Sequence, residues 1–172
     1  NRLFPASGAH TLRLRCDTRQ IKFTDRVMGQ QLFTLATDCG DFIIKRRDGL
    51  FAYQLAVVVD DAWQGVTEIV RGVDLLDSTA KQIYLQQLLG YTQPDYLHIP
   101  LAVDQNGQKL SKSMAATRIE NQPPSISLIH ALDFLGQQPP VSLEQSSVKV
   151  VWHWAIHHWD ITKIPAQKNC VI

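Results

Sequence analysis

Between residues 66 and 103 the sequence spells strand, helix, strand, and that order restricts the architectures open to the chain. Residues 66–70 make the best candidate for a buried strand, with Gly72 just beyond. Asp77 and Ser78 then offer N-caps to a helix whose Ala80, Ile83, Tyr84 and Leu88 share one face, and Gly90 stops it. Tyr96 to Val103 resumes as a strand, interrupted at Pro100. Strands and helices alternating along a chain belong to the α/β class.

The flanking segments extend this pattern. Leu12, Leu14 and Cys16 alternate with Arg13, Arg15 and Asp17, the period of a half-buried strand. Residues 21–23, 32–35 and 42–44 are further short apolar runs, and Asp48-Gly49 turns the chain after Lys45, Arg46 and Arg47. Residues 52–61 are ambiguous. Val57, Val58 and Val59 suit a strand, while the length of the run equally permits a buried helix. Asn106-Gly107 is a strong hairpin signal, returning through Gln108, Lys109 and Leu110.

Past Pro123-Pro124 the character becomes helical. Ser125 can cap a helix carrying Leu128, Ile129, Leu132 and Leu135, with Gly136 at its end. Ser142 and Gln145 form a capping box before Val148, Val151, Trp152, Ala155 and Trp159. The tail from Lys163 reads as irregular. The expected division is therefore α/β material in residues 1–120 and a small helical portion in residues 121–172.

Composition narrows the function classes. Of 172 residues 45% are hydrophobic and 19% charged, which is globular rather than disordered. Lys+Arg 17 against Asp+Glu 16 leaves a net charge of +1, so bulk charge makes no case for nucleic-acid binding. The longest apolar runs, such as residues 55–59, fall far short of a membrane span. Three cysteines without a C-x-x-C pair fit reduced thiols and a cytoplasmic setting.

Several constellations could carry chemistry. Lys109-Leu110-Ser111-Lys112-Ser113 places two lysines and two hydroxyls in a small-residue stretch that could gather around a polyphosphate, or could equally be a solvated loop. Arg71 ends an apolar strand, where a charge needs an anionic partner. With the Tyr53 hydroxyl it could recognise a carboxylate; the alternative is an ion pair with Glu68, Asp74 or Asp77. Asp60-Asp61 fits the end of a helix better than a metal site. His153 and His157 lie one helical turn apart, but an amphipathic, tryptophan-rich helix explains them without a metal, and no metal ligand is assigned. Lys45-Arg46-Arg47 reads as a solvated or phosphate-facing patch.

Together these segments resemble the class I glutamyl-tRNA synthetase family. The run from Phe42 through Lys45-Arg46-Arg47-Asp48-Gly49 and Tyr53 to Asp60-Asp61 is similar to its catalytic-domain signature. Val66-Thr67-Glu68-Ile69-Val70-Arg71-Gly72-Val73-Asp74-Leu75-Leu76, then Gln82 and Leu88-Leu89-Gly90, continues in the family's order. Lys109-Leu110-Ser111-Lys112-Ser113 resembles the KMSKS signature, with Leu at its second place. Residues 42–61 and 96–112 are nearest to the short branch that lacks an anticodon-binding domain.

The resemblance implies part of a class I aminoacyl-tRNA synthetase Rossmann-like catalytic domain followed by a small helical portion. It implies an enzyme that activates glutamate with ATP, taken as its Mg2+ complex, and attaches it to the queuosine base in the anticodon loop of tRNA(Asp). Tyr53 and Arg71 match the glutamate-binding tyrosine and arginine, and Lys112 matches the catalytic lysine of an ATP loop formed by Lys109, Leu110, Ser111, Lys112 and Ser113. The family's HIGH signature, its amino-group-binding acid and its zinc ligands lie upstream of the matched region. With Asn1 at the start, the expectation is the C-terminal portion of a synthetase, inactive alone, with zinc held elsewhere in the parent. A monomer without membrane contact is expected. A conventional glutamyl- or glutaminyl-tRNA synthetase, or a non-catalytic module binding tRNA or nucleotide, stays open as an alternative.

Overall fold

The computed structural model describes residues 10–110 and 122–171. They fall into two compact units. The first holds the described residues up to Arg26 with Gln30–Ile69 and Leu75–Tyr96; the second holds Val27–Gly29, Val70–Asp74 and the described residues from Leu97 onward.

In the first unit the early apolar runs become β1 (Leu12–Leu14), β2 (Gln20–Asp25), β3 (Gly29–Thr34) and β4 (Phe42–Lys45). Alternation in β2 buries Ile21, Phe23 and Asp25 and leaves Gln20, Lys22 and Thr24 to solvent. β1 pairs antiparallel with β4. Between β3 and β4 a π-helical turn, Leu35–Cys39, buries Leu35 completely.

The ambiguous run is a helix, α1 (Tyr53–Gln64). Its boundaries decide the matter. Gly49 takes a left-handed φ of 88°, Phe51 bridges back to Lys45, and Gly65 closes the other end at φ 69°. A β-branched residue costs a helix only a few tenths of a kcal/mol (~0.5), and Val58 recovers that by burial. Asp60 and Asp61 consequently lie near the end of α1, one turn short of its Gly65 cap.

Helix α2 (Leu76–Leu89) supplies much of this unit's core, with Leu76, Ala80, Ile83, Tyr84 and Leu85 buried. Leu88 departs from the expected face and is half exposed, because each i+4 step turns the helix by about 40°. Asp77 and Ser78 are not caps either. Leu75 occupies that position without a side-chain bond, and Ser78 Oγ instead accepts from Gln54 Nε2 at 3.0 Å. Buried Gln82 joins the same chain by donating to Gln54 Oε1 at 2.9 Å.

Two further strands, β5 (Glu68–Gly72) and β6 (Asp95–Ile99), complete a four-stranded sheet of order β3-β2-β6-β5. β2 runs parallel to β6 in the register Asp25↔Tyr96. β5 stands last in that order, and Val70 is 63% exposed. The expected buried strand is thus an edge strand. β5 and β6 both begin in the first unit and finish in the second.

The second unit continues with β7 (Leu101–Val103) after Pro100. The Asn106-Gly107 turn forms around Asp104, whose carboxylate accepts from the Asn106 and Gln108 amides, and the return is held by the Asp104 amide donating to the Gln108 carbonyl and by an isolated bridge, Val103↔Lys109. Helix α3 (Pro124–Phe134) has Pro123 at its N-cap and proline at N1, so Ser125 lies inside the first turn rather than capping it. Helix α4 (Val148–His158) starts from Ser147; the expected capping-box serine, Ser142, lies in a separate 3-10 turn, Val141–Leu143.

Ile129, Leu132, Leu143, Val151 and Ala155 form the core between α3 and α4, with Trp154 packed against it. Trp152 and Trp159, expected on that face, are 52% and 47% exposed. The tail also gains order: β8 (Asn169–Val171) pairs parallel with β7. Among the described residues no helix is long and apolar enough to cross a membrane.

Candidate functional site

Arg71 is the penultimate residue of β5 and His98 the penultimate residue of β6, neighbouring strands of one sheet. Carboxyl ends of strands are where open α/β sheets bind ligands. Arg71 Nε donates to His98 Nε2 at 3.0 Å, and the imidazole is fully buried. A guanidinium N–H can only donate, so His98 Nε2 is the acceptor of this bond.

Just past Arg71 the chain needs a residue without a side chain. A Cβ on Gly72 would lie 2.6 Å from Asp74 Oδ1 and 3.4 Å from Leu101 Cδ2. Glycine therefore lets the Asp74 carboxylate fold back toward the strand end. There Asp74 Oδ2 accepts from Lys109 Nζ at 2.7 Å. The Lys109 hydrogen bond, aided by the Lys109 and Arg71 charges, holds the Asp74 carboxyl below the usual carboxylate range, against a smaller opposing effect of burial.

Arg71, Asp74, His98 and Lys109 thus form a polar cluster in the second unit, in which sequence reasoning had named only the cations as site residues. Of the three acids weighed against Arg71, Glu68 pairs with Arg26 at 2.5 Å and Asp74 with Lys109. His98 went unrecognised as part of the site. The signal was an imidazole inside the apolar stretch Tyr96-Leu97-His98-Ile99, which demands a partner once buried.

Tyr53 opens α1 in the first unit and is 53% exposed. Its neighbour Gln54 is fixed by Ser78 and Gln82, which anchors that end of the helix. Leu110 follows Lys109 within the described residues, whereas Ser111, Lys112 and Ser113 lie outside them. Arg46 of the basic run pairs with Asp48 at 2.7 Å, and Lys45 sits over the Phe51 ring.

A cavity of about 600 Å³ lies in the first unit where α1 and α2 end, beside Gly65, Thr67, Gly90 and Asp95. No candidate residue lines it. Burial pushes the Cys16 and Cys39 thiols up, which argues against either as a thiolate nucleophile. All three cysteines are free. The His153 and His157 rings lie 4.2 Å apart between centroids, tilted at 42°, with His157 Nδ1 2.7 Å from the His153 carbonyl. Among the described residues no group of three or more His, Cys, Asp or Glu could hold a metal ion, so zinc has no ligand set there.

The family model for the catalytic domain of class I tRNA synthetases (E and Q) matches residues 4–139. The chain belongs to that family. A glutamyl-Q tRNA(Asp) synthetase of Aromatoleum aromaticum is 51% identical over 167 residues, 97% of this chain and 53% of its own length. One from Pseudomonas aeruginosa is 52% identical over 154 residues, 90% of this chain and 53% of its own. The chain spans about half the length of the curated relatives it matches. The fold agrees with family membership. The crystal structure of a glutamate-tRNA synthetase from Elizabethkingia anophelis superposes with a TM-score of 0.67 at 22% identity, over 90% of this chain and 34% of that one.

Proposed function

We propose that this chain supplies the glutamate-binding and KMSKS-bearing part of a synthetase that activates glutamate with ATP and transfers it to the queuosine base of tRNA(Asp). The observation that carries this reading is 51% identity, over 97% of the chain, to a protein named for that activity. Family membership across residues 4–139 supports ATP, an amino acid and tRNA as the partners. A division near residue 120 into catalytic and helical portions, a cytoplasmic location and a monomeric state belong to the same reading.

In this scheme Arg71 and Tyr53 bind glutamate. The guanidinium offers two parallel donors to a carboxylate, and the phenol adds one neutral hydrogen bond. Activation is an in-line attack: a glutamate carboxylate oxygen bonds to the α-phosphorus of ATP, and the bond to the bridging oxygen breaks to release pyrophosphate. Charge grows on the phosphates, so Lys112, in the KMSKS-like segment Lys109, Leu110, Ser111, Lys112 and Ser113, stabilises the transition state electrostatically. No protein nucleophile is required. The acyl group then passes to a queuosine hydroxyl, mainly through positioning. Magnesium enters with ATP as part of the substrate.

The test uses the complete synthetase. Glutamate-dependent exchange of pyrophosphate into ATP, without tRNA, should be robust, and labelled glutamate should load tRNA(Asp) bearing queuosine but not tRNA(Asp) lacking it. Loading of tRNA(Glu) instead would assign a conventional glutamyl-tRNA synthetase. Nucleotide or tRNA binding with no exchange would assign a non-catalytic module.

A further inference from the structure

We infer that His98 is a positioning residue for Arg71, setting the orientation in which the guanidinium meets the glutamate carboxylate. This rests on the proposed role of Arg71 in glutamate binding. The bond is specific in direction. Arg71 Nε is the donor at 3.0 Å, and the acceptor, His98 Nε2, belongs to a ring with no exposed surface. A buried ring packed into a strand cannot swing to follow its partner, so it fixes the Nε–H vector and with it the plane of the guanidinium. The edge bearing Nη1 and Nη2 is the one whose geometry matches the two oxygens of a carboxylate.

The side chains come from the carboxyl ends of two sheet-neighbour strands, so the backbone as well as the rotamers holds the pair. Sites built on strands keep their geometry better than sites on loops, and a charged binding group needs such support to recognise a planar anion. The imidazole suits this duty for a second reason. Its Nε2 satisfies one N–H of the cation without itself being a carboxylate that would compete with the substrate for the guanidinium.

In the complete synthetase, kcat and the KM values for glutamate and ATP, together with Tm, are compared for wild type, His98→Leu, His98→Gln, Arg71→Gln and the double variant His98→Leu/Arg71→Gln. His98→Leu should raise the glutamate KM by about tenfold or more, the scale of one hydrogen bond to a charged group, while the ATP KM stays near wild type. His98→Gln, whose amide oxygen reaches the place of Nε2, should recover most of that loss. In the Arg71→Gln background His98→Leu should add nothing further, because the two act as one unit. A folded His98→Leu enzyme with wild-type glutamate KM, or a fully additive double variant, overturns the inference. Failure of the underlying reading looks different: Arg71→Gln alone would leave the glutamate KM unchanged. If His98→Leu does not fold, His98→Asn, whose oxygen falls short of Nε2, replaces it with the same deciding outcomes.

Discussion

Lys109 and Asp74 form an ion pair at 2.7 Å, and it ties the first residue of the Lys-Leu-Ser-Lys-Ser segment to the turn that follows β5. Both side chains are about two-fifths exposed (40% and 41%), so solvent screens the attraction. The pair therefore serves location more than stability.

Its pH dependence has a definite sign. Asp74 titrates below its ordinary value of 3.8 because Lys109 donates to it. The stabilisation is present above the unfolded carboxylate's pKa and is lost as pH falls through the lower folded value. Wild type should exceed Asp74→Asn by about 0.2–1 kcal/mol at neutral pH, with the gap closing in acid once pH falls below the lowered folded value. Urea denaturation at neutral pH and in such acid measures this; an equal gap at both would rule the pair out as its source. Gly72→Ala should remove most of the same difference, since its Cβ displaces Asp74 Oδ1.

Arg71 tests the substrate class. Arg71→Gln should keep the fold while weakening glutamate use by about 2–5 kcal/mol, the usual loss when one partner of a desolvated charge pair is removed. Arg71→Lys should also be impaired, because an ammonium cannot make a two-pronged contact. Tyr53→Phe should lose less, about 0.5–1.5 kcal/mol. Steady-state glutamate dependence read beside Tm decides the matter. A lowered Tm with unchanged KM would make Arg71 a structural residue.

Lys112→Ala in the complete enzyme should slow activation by about 10²–10³, the scale for one preorganised electrostatic contact. Its glutamate KM should hardly move. The opposite pattern, a raised KM with intact kcat, would assign Lys112 to uniform substrate binding.

Two glycines separate backbone strain from steric collision. Gly49 and Gly136 both have positive φ, 88° and 73°. A Cβ at Gly49 meets open space, whereas one at Gly136 runs into the Lys163 carbonyl oxygen. Gly49→Ala should cost about 1–2 kcal/mol, and Gly136→Ala distinctly more. Thermal melts of the two variants make the comparison; equal losses would mean that the Lys163 turn moves aside freely.

Elements with sharp punctuation were legible in the sequence. Gly90 ends α2, Pro100 divides β6 from β7, and Gly136 follows α3, because these residues act locally. What depended on neighbours was not legible. Val70 looks like core in a linear reading, but its strand stands last in the sheet order. Trp152 and Trp154 are the same residue type, and only the packing of α4 against the core cluster partly buries the second. Nor could the site be read fully. Arg71 and Lys109 stood out as charges, whereas His98 became visible only once β6 lay beside β5 and supplied the acceptor for Arg71 Nε.

The parallel pairing of β7 with β8 makes the helical portion a closed loop rather than an appendage. Everything from Asp104 to Lys168 is enclosed by three short register pairs, Leu101↔Asn169, Ala102↔Cys170 and Val103↔Val171. During synthesis β7 must wait, unmatched on that side, until both helices have left the ribosome. Closure entropy rises only by about 0.6 kcal/mol for each doubling of loop length. The delay is therefore a matter of timing more than of equilibrium: the later-made β8 is the strand that fastens this unit.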